Sequence, residues 1–220
     1  MRITKLVVLF GLSVAAAALL VEVVPSRPAI AGATITVTSP IDELTINGTC
    51  SLREAIQAAN TDSVVDACSR GVGADVIVVP PGTYTLSLPG ADEDANFTGD
   101  LDITADLTIN GASTIVQACD SSTGPCIGID RVLHVVEEES SQNTVTISGV
   151  TIRNGSTYRQ GGGISNYGTM AITNAAISGN TARSGGGIVN HGTLSLTYTT
   201  LRQRQHRDWR PRRRYRQRRQ

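Results

Sequence analysis

Apolar and polar residues alternate along most of this chain, in runs too short for anything but strands. "ATITVTS" at residues 33–39 has the period-two pattern of a strand with one buried face. From residue 75 onward "DVIVV", "GTYTLSL", "LDITADLTING", "RVLHVV" and "NTVTISGVTIRN" follow one another, separated or broken by Pro-Gly, Asn-Gly or Ser-Gly. One stretch has a different period. In "CSLREAIQAAN", Leu52, Ala55, Ile56 and Ala59 fall at i, i+3, i+4 and i+7, a single apolar stripe on a helix about two turns long that ends at Asn60. Ser51 and Glu54 have the S-x-x-E spacing of a capping box, in which each side chain satisfies a free backbone N–H of the first turn.

The strand pattern becomes a repeat towards the C-terminus. "GGGISNYGTMAITNAAISGNTARS" starts at Gly161 and "GGGIVNHGTLSLTYTTL" starts 24 residues later at Gly185. Gly161, Gly162, Gly163, Ile164, Asn166, Gly168 and Thr169 return as Gly185, Gly186, Gly187, Ile188, Asn190, Gly192 and Thr193, while Ile172 and Ile177 return as Leu196 and Leu201. A period of that length, filled by short strands, predicts a solenoid whose coils stack by parallel pairing at about 4.8 Å. Ile164, Ile172 and Ile177 then point inward, as do their counterparts. Asn166 and Asn190 form a coil-turn ladder, one side chain above the other and able to hydrogen-bond along the axis. The glycine triplets suit turns that need positive φ or close backbone approach; no Lys-Ser/Thr follows, so they do not read as a phosphate cradle.

Charge changes the picture only at the end of the chain. Residues 32–201 carry 6 Lys/Arg against 17 Asp/Glu, whereas residues 202–220 hold ten Arg and one Asp, so the overall zero averages an acidic body with a basic tail. That tail has neither apolar periodicity nor the "SGN" that follows Ile177, and it reads as a disordered segment, the next coil seen through a shifted reading frame; its arginines therefore say little about partners, and nucleic acid is not expected among them. The +1 frame beyond Leu201 is expected to continue GGGI-type repeats.

The opposite end reads as an export signal. Arg2 and Lys5 precede the apolar run at residues 6–21, and Ala29-Ile30-Ala31 offers a small-residue cleavage site. Export makes the even set Cys50, Cys68, Cys119 and Cys126 disulfide candidates. Three pairings are open. The sequence-local one, Cys50–Cys68 with Cys119–Cys126, closes the shortest loops and is preferred; a zinc site lacks any CxxC pair or nearby His.

Together these features resemble bacterial exported proteins with a right-handed parallel β-helix that begin with a "CSLREA" motif, here Cys50-Ser51-Leu52-Arg53-Glu54-Ala55. "DVIVVPPGTYTL" at residues 75–86 is similar to the first coil of pectate-lyase-like β-helices, and the GGGI-x-N-x-G-T repeats are similar to those of polymorphic outer-membrane proteins and autotransporter adhesins. The resemblance implies an all-β fold, a right-handed single-stranded parallel β-helix with one short N-terminal capping helix. The expected divisions are a signal peptide (1–31), a cap with the CSLREA helix (32–70), β-helix coils (71–201) and the disordered basic tail (202–220).

Chemistry is harder to find. Polysaccharide-active β-helices use carboxylates on neighbouring coils, and the candidates are Asp92, Glu93, Asp94, Asp100, Asp102 and Asp106. In "GDLDITADLTI" the acids at 100, 102 and 106 alternate with Leu101, Ile103 and Leu107, which places them on the solvent side of a strand, ahead of a calcium site and of catalysis. Glu137-Glu138-Glu139 reads as a hydrated turn. His134 has no companion in sequence reach, and His191 stands where the preceding repeat has Tyr167, so it reads as a surface residue. Asn47, Asn96 and Asn154 begin Asn-x-Ser/Thr sequons. The expectation is a non-catalytic surface or extracellular protein, structural or adhesive, meeting extracellular glycans or cell-surface proteins. No catalytic residue, cofactor or metal is assigned, and no integral membrane segment remains after signal removal. The alternative is a carbohydrate-active enzyme of the pectate-lyase type.

Overall fold

The computed structural model describes residues 31–118, 130–137 and 143–205. Its strands, in chain order, are β1 (Ala31–Thr36), β2 (Ala74–Val79), β3 (Gly82–Thr85), β4 (Leu101–Ile103), β5 (Leu107–Gln117), β6 (Leu133–Val135) and β7 (Thr144–Arg153). They continue with β8 (Ile164–Asn166), β9 (Thr169–Thr173), β10 (Ala176–Ala182), β11 (Ile188–Asn190), β12 (Thr193–Thr197) and β13 (Thr200–Gln205). The single helix among the described residues, α1, spans Leu52–Thr61.

All pairings between these strands are parallel. One sheet runs β1-β2-β5-β7-β10-β13 with β3, β9 and β12 attached, and a four-stranded sheet runs β4-β6-β8-β11. The 24-residue repeat is the stacking register itself: Asn166 pairs with Asn190, Thr169 with Thr193, Ile172 with Leu196 and Ile177 with Leu201. Ile164, Ile172 and Ile177 are fully buried in one continuous core with Ile147, Ile152 and Val145. Leu196 and Leu201, expected to point inward, are exposed, because they lie on the last described rung with no described neighbour above them.

The glycine triplets divide their work. Gly161 and Gly185 take φ of +71° and +60°, and a Cβ on Gly162 or Gly163 would lie 2.4 Å from Thr181 O or Gly187 O of the adjoining rung. Asn166 donates through Nδ2 to Asn190 Oδ1 at 2.6 Å, and its Oδ1 accepts from Gly168 N at 3.1 Å.

Helix α1 begins with a complete capping box: Ser51 Oγ accepts from Glu54 N at 3.1 Å and Glu54 Oε2 accepts from Ser51 N at 2.9 Å. The helix runs one residue past Asn60 and ends where Asp62 turns left-handed at φ 48°. Cys50 and Cys68 are disulfide-bonded, with Cα atoms 4.9 Å apart; Cys119 and Cys126 lie outside the described residues.

Two expected boundaries shift. Part of the cap region, in β1, pairs directly with β2, so the sheet starts before the helix. At the other end β13 continues through Arg202 to Gln205 against Ser178–Ala182, four residues into the segment expected to lack structure. The parallel edge of β10 offers backbone partners regardless of the side chains that arrive. Residues 206–220 and 1–30 lie outside the described residues.

Candidate functional site

In a three-residue strand the first residue faces one side and the middle residue the other. Leu101, Leu133, Ile164 and Ile188, the first residues of β4, β6, β8 and β11, belong to the core. The middle residues are Asp102, His134, Ser165 and Val189, placed side by side by the register of the four strands. Alternation therefore assigns Asp102 to the outer face, as the sequence pattern implied.

That face is not solvated at its first strand. Asp100 is 2% exposed and Asp102 0%, which corrects the expectation that both acids sit in water. The cause is a loop that folds over them, residues 92–99. Asn96 N donates to Asp102 Oδ2 at 3.2 Å, and Glu93 closes the loop by accepting from Ala95 N and Thr98 N at 2.9 and 2.6 Å. Asp106 is exposed and accepts from Thr144 N at 2.6 Å.

The loop is held from the other side by α1. Arg53, Gln57 and Asn60 form a second, polar stripe at i, i+4 and i+7. Arg53 Nη1 donates to Asp100 O at 2.9 Å and Nη2 to Gly99 O at 2.8 Å. Asn60 Nδ2 donates to Asp102 O at 2.8 Å, and its Oδ1 accepts from Thr104 N at 3.0 Å. Strand β4 is the edge of its sheet, so these side chains occupy backbone groups that would otherwise be an open edge. Asn96 sits in the middle of this clamp, fully buried, donating to Arg53 O at 2.9 Å and Gln57 Oε1 at 3.2 Å; its sequon is a structural asparagine in the folded chain.

His134 does have companions. Its Nδ1 lies 3.1 Å from Asp102 Oδ1 on the neighbouring strand and 3.3 Å from Asp94 Oδ1 of the covering loop. Arg131 Nε lies 3.3 Å from Asp100 Oδ2, yet neither atom completes a hydrogen bond. Burial, then the neighbouring Asp102, pushes the Asp100 carboxyl up to about 8. Burial likewise pushes Asp102 up to about 8, against the pull of the Asn96 N–H. Burial, reinforced by Arg131, lowers the imidazole of His134, which favours its neutral form.

These groups lie in or beneath an open groove of about 1330 Å³ along the outer face of the four-stranded sheet. Beyond His134, Tyr167 and His191 continue it one rung apart, their rings stacked at 4.5 Å and 17°. His134 meets the edge of Tyr167 at 5.8 Å. His191 is exposed, as the Tyr/His exchange between repeats suggested. Across the mouth, Asp92 accepts from Tyr158 Oη and pairs with Arg159 Nε at 2.5 Å, joining the covering loop to residues 156–160. Those two partners hold the Asp92 carboxyl below its usual range. Glu137 lines the groove, while Glu138 and Glu139 lie outside the described residues.

Comparison with protein-family models, curated proteins and solved structures finds no match to this chain. Among the described residues no helix is long and apolar enough to cross a membrane.

Proposed function

We propose that this chain is an exported, non-catalytic surface or extracellular protein, a right-handed parallel β-helix of the CSLREA type whose outer groove binds glycan. The observation that carries the binding reading is the Tyr167–His191 stack on the groove floor beside a row of carboxylates. The ring edges of this stack and the outer face of His191, flanked by acceptors, suit the hydroxyl groups and apolar faces of sugars. The groove lining carries six acidic side chains against three arginines, so the ligand is a neutral or amino sugar rather than a uronate, a sulfated chain or nucleic acid. Parallel crossovers within one sheet are right-handed in about 98% of cases, which supports the handedness. The disulfide Cys50–Cys68 fits export through the signal at residues 1–31. A glycan array probed with the full chain should return neutral or amino-sugar ligands, with signal lost in Tyr167→Ala/His191→Ala. Absence of signal, or signal indifferent to both substitutions, rejects the reading.

One observation favours the enzymatic alternative. Burial pushes the Asp100 carboxyl up to about 8, and a raised carboxyl is what a general acid requires. New reducing ends or unsaturated products from any member of a polysaccharide panel would move the assignment to catalysis.

A further inference from the structure

The groups meeting at the closed end of the groove are not only acids. His134, Asp102 and Asp94 come from a strand, its neighbour and the covering loop, and one ligand atom of each lies within 4.8 Å of those of the other two. One imidazole nitrogen and two carboxylate oxygens make a ligand set for a first-row divalent ion. With bonds of about 2.1 Å, two ligands of a tetrahedral ion stand roughly 3.4 Å apart, close to the 3.1 and 3.3 Å measured from His134 Nδ1. Asp94, whose side chain is 66% exposed, is free of the packing that fixes Asp102 and His134.

A second, independent observation points the same way. Asp100, in the lining of this end of the groove, is 2% exposed, and its Oδ2 lies 3.3 Å from Arg131 Nε without completing a hydrogen bond. Asp100, Asp102 and Asp130 are all buried there, with the Arg131 guanidinium beside Asp100 and Asp130 and that of Arg53 on the Asp100 carbonyl. The supporting shell is also built. Asp102 is oriented through its other oxygen by Asn96 N, and the His134 ring is braced by the edge of Tyr167.

We infer that Asp94, Asp102 and His134 form a divalent metal site, selective for Zn²⁺ over Ca²⁺, opening onto the groove. The imidazole sets that preference, since Ca²⁺ takes oxygen ligands in larger number. The inference stands apart from glycan binding and is tested with the metal alone. Isothermal titration of the full chain with Zn²⁺ should show one site of micromolar affinity or better, and Ca²⁺ should bind at least 100-fold more weakly. Asp94→Asn changes an exposed group and should keep the apo melting temperature while weakening Zn²⁺ at least tenfold. His134→Gln should do the same, with far-UV circular dichroism confirming its fold; if it fails to fold, Asp94→Asn decides alone. Zn²⁺ binding weaker than about 1 mM overturns the site. So does an Asp94→Asn affinity equal to that of the unsubstituted chain, or Ca²⁺ bound as tightly as Zn²⁺.

Discussion

Replacing Arg53 by Met should cost about 3–5 kcal/mol, the range for removing one partner of a buried ion pair. The guanidinium is 1% exposed and grips Asp42 with two donors, Nε to Oδ1 at 2.6 Å and Nη2 to Oδ2 at 3.2 Å. It also donates to the carbonyls of Asn96, Gly99 and Asp100 at 3.4, 2.8 and 2.9 Å. Met nearly fills the space, so the penalty is electrostatic: an Asp42 carboxylate facing no cation and three carbonyls short of a donor. Those losses belong to one network and do not add. Asp42 keeps two further donors, Ser87 N and Leu88 N at 2.6 and 3.0 Å, which holds the expected cost inside the range.

Against a total stability of about 5–15 kcal/mol, the variant loses about a fifth or more of it. The melting temperature should fall by roughly 6–20 °C, at about 2–4 °C per kcal/mol for a chain of this size. Urea unfolding measures the change directly through the midpoint at constant slope. Asp42→Asn placed in the Arg53→Met background should recover part of the loss by removing the orphaned charge, whereas Arg53→Lys should still destabilise, because one ammonium cannot make the forked pair. Amides of residues 96–102 should exchange faster in Arg53→Met than those of β7 or β10. A cost below about 1 kcal/mol would mean that water reaches Asp42, and the clamp argument would fail.

Two further perturbations test other parts of the fold. Asp66 accepts from the backbone N–H groups of Asn47, Gly48 and Thr49 at 2.9–3.1 Å, and those bonds hold its carboxyl below the usual range. A depressed carboxylate stabilises above its ordinary value of 3.8 and loses that contribution as pH falls through the folded value. Amide protection at residues 47–49 should therefore drop below that pH, and Asp66→Asn should flatten the profile; an unchanged profile would contradict this. Asn166→Ala should cost about 1–3 kcal/mol in urea unfolding, because it leaves buried Gly168 N and two carbonyls without a side-chain partner. Asn190→Ala, at an exposed position on the last described rung, should cost under about 1 kcal/mol; equal costs would show that the ladder does not depend on burial.

Much of the architecture was legible because the repeat is the register. A 24-residue shift superimposes Asn166 on Asn190 in sequence, and the same shift brings them into hydrogen-bond contact. The capping box and the Cys50–Cys68 bridge were legible for a similar reason: both depend on residues close in sequence. The site was not. Asp102 and His134 stand 32 residues apart in rungs that share no visible repeat, and only strand pairing makes them neighbours. For Asp100 and Asp102 the period correctly assigned a face but could not tell whether that face meets water. The deciding feature, the loop at residues 92–99, has no periodicity at all. One signal was available and unused. Arg53, Gln57 and Asn60 recur at helical spacing beside the apolar stripe, and a polar stripe adjoining a buried one marks groups that meet backbone instead of solvent.

The stretch at residues 50–55 thereby takes on a meaning beyond its own helix. Cys50 ties the helix start to Cys68, Ser51 and Glu54 close its first turn, and Leu52 and Ala55 seat it on the core. Arg53 alone looks outward, and it ends on the backbone of residues 96–100, the segment joining Asp94 to Asp102. A stack of parallel strands needs its first edge strand covered whatever the protein does. Here the cover is made by the same helix that fixes the closed end of the groove, so the cap and the site share their hydrogen bonds. Loss of the clamp in Arg53→Met should consequently loosen Asp94 and Asp102 before it unfolds the stack, and Zn²⁺ affinity should fall at temperatures where β7 and β10 are still fully protected from exchange.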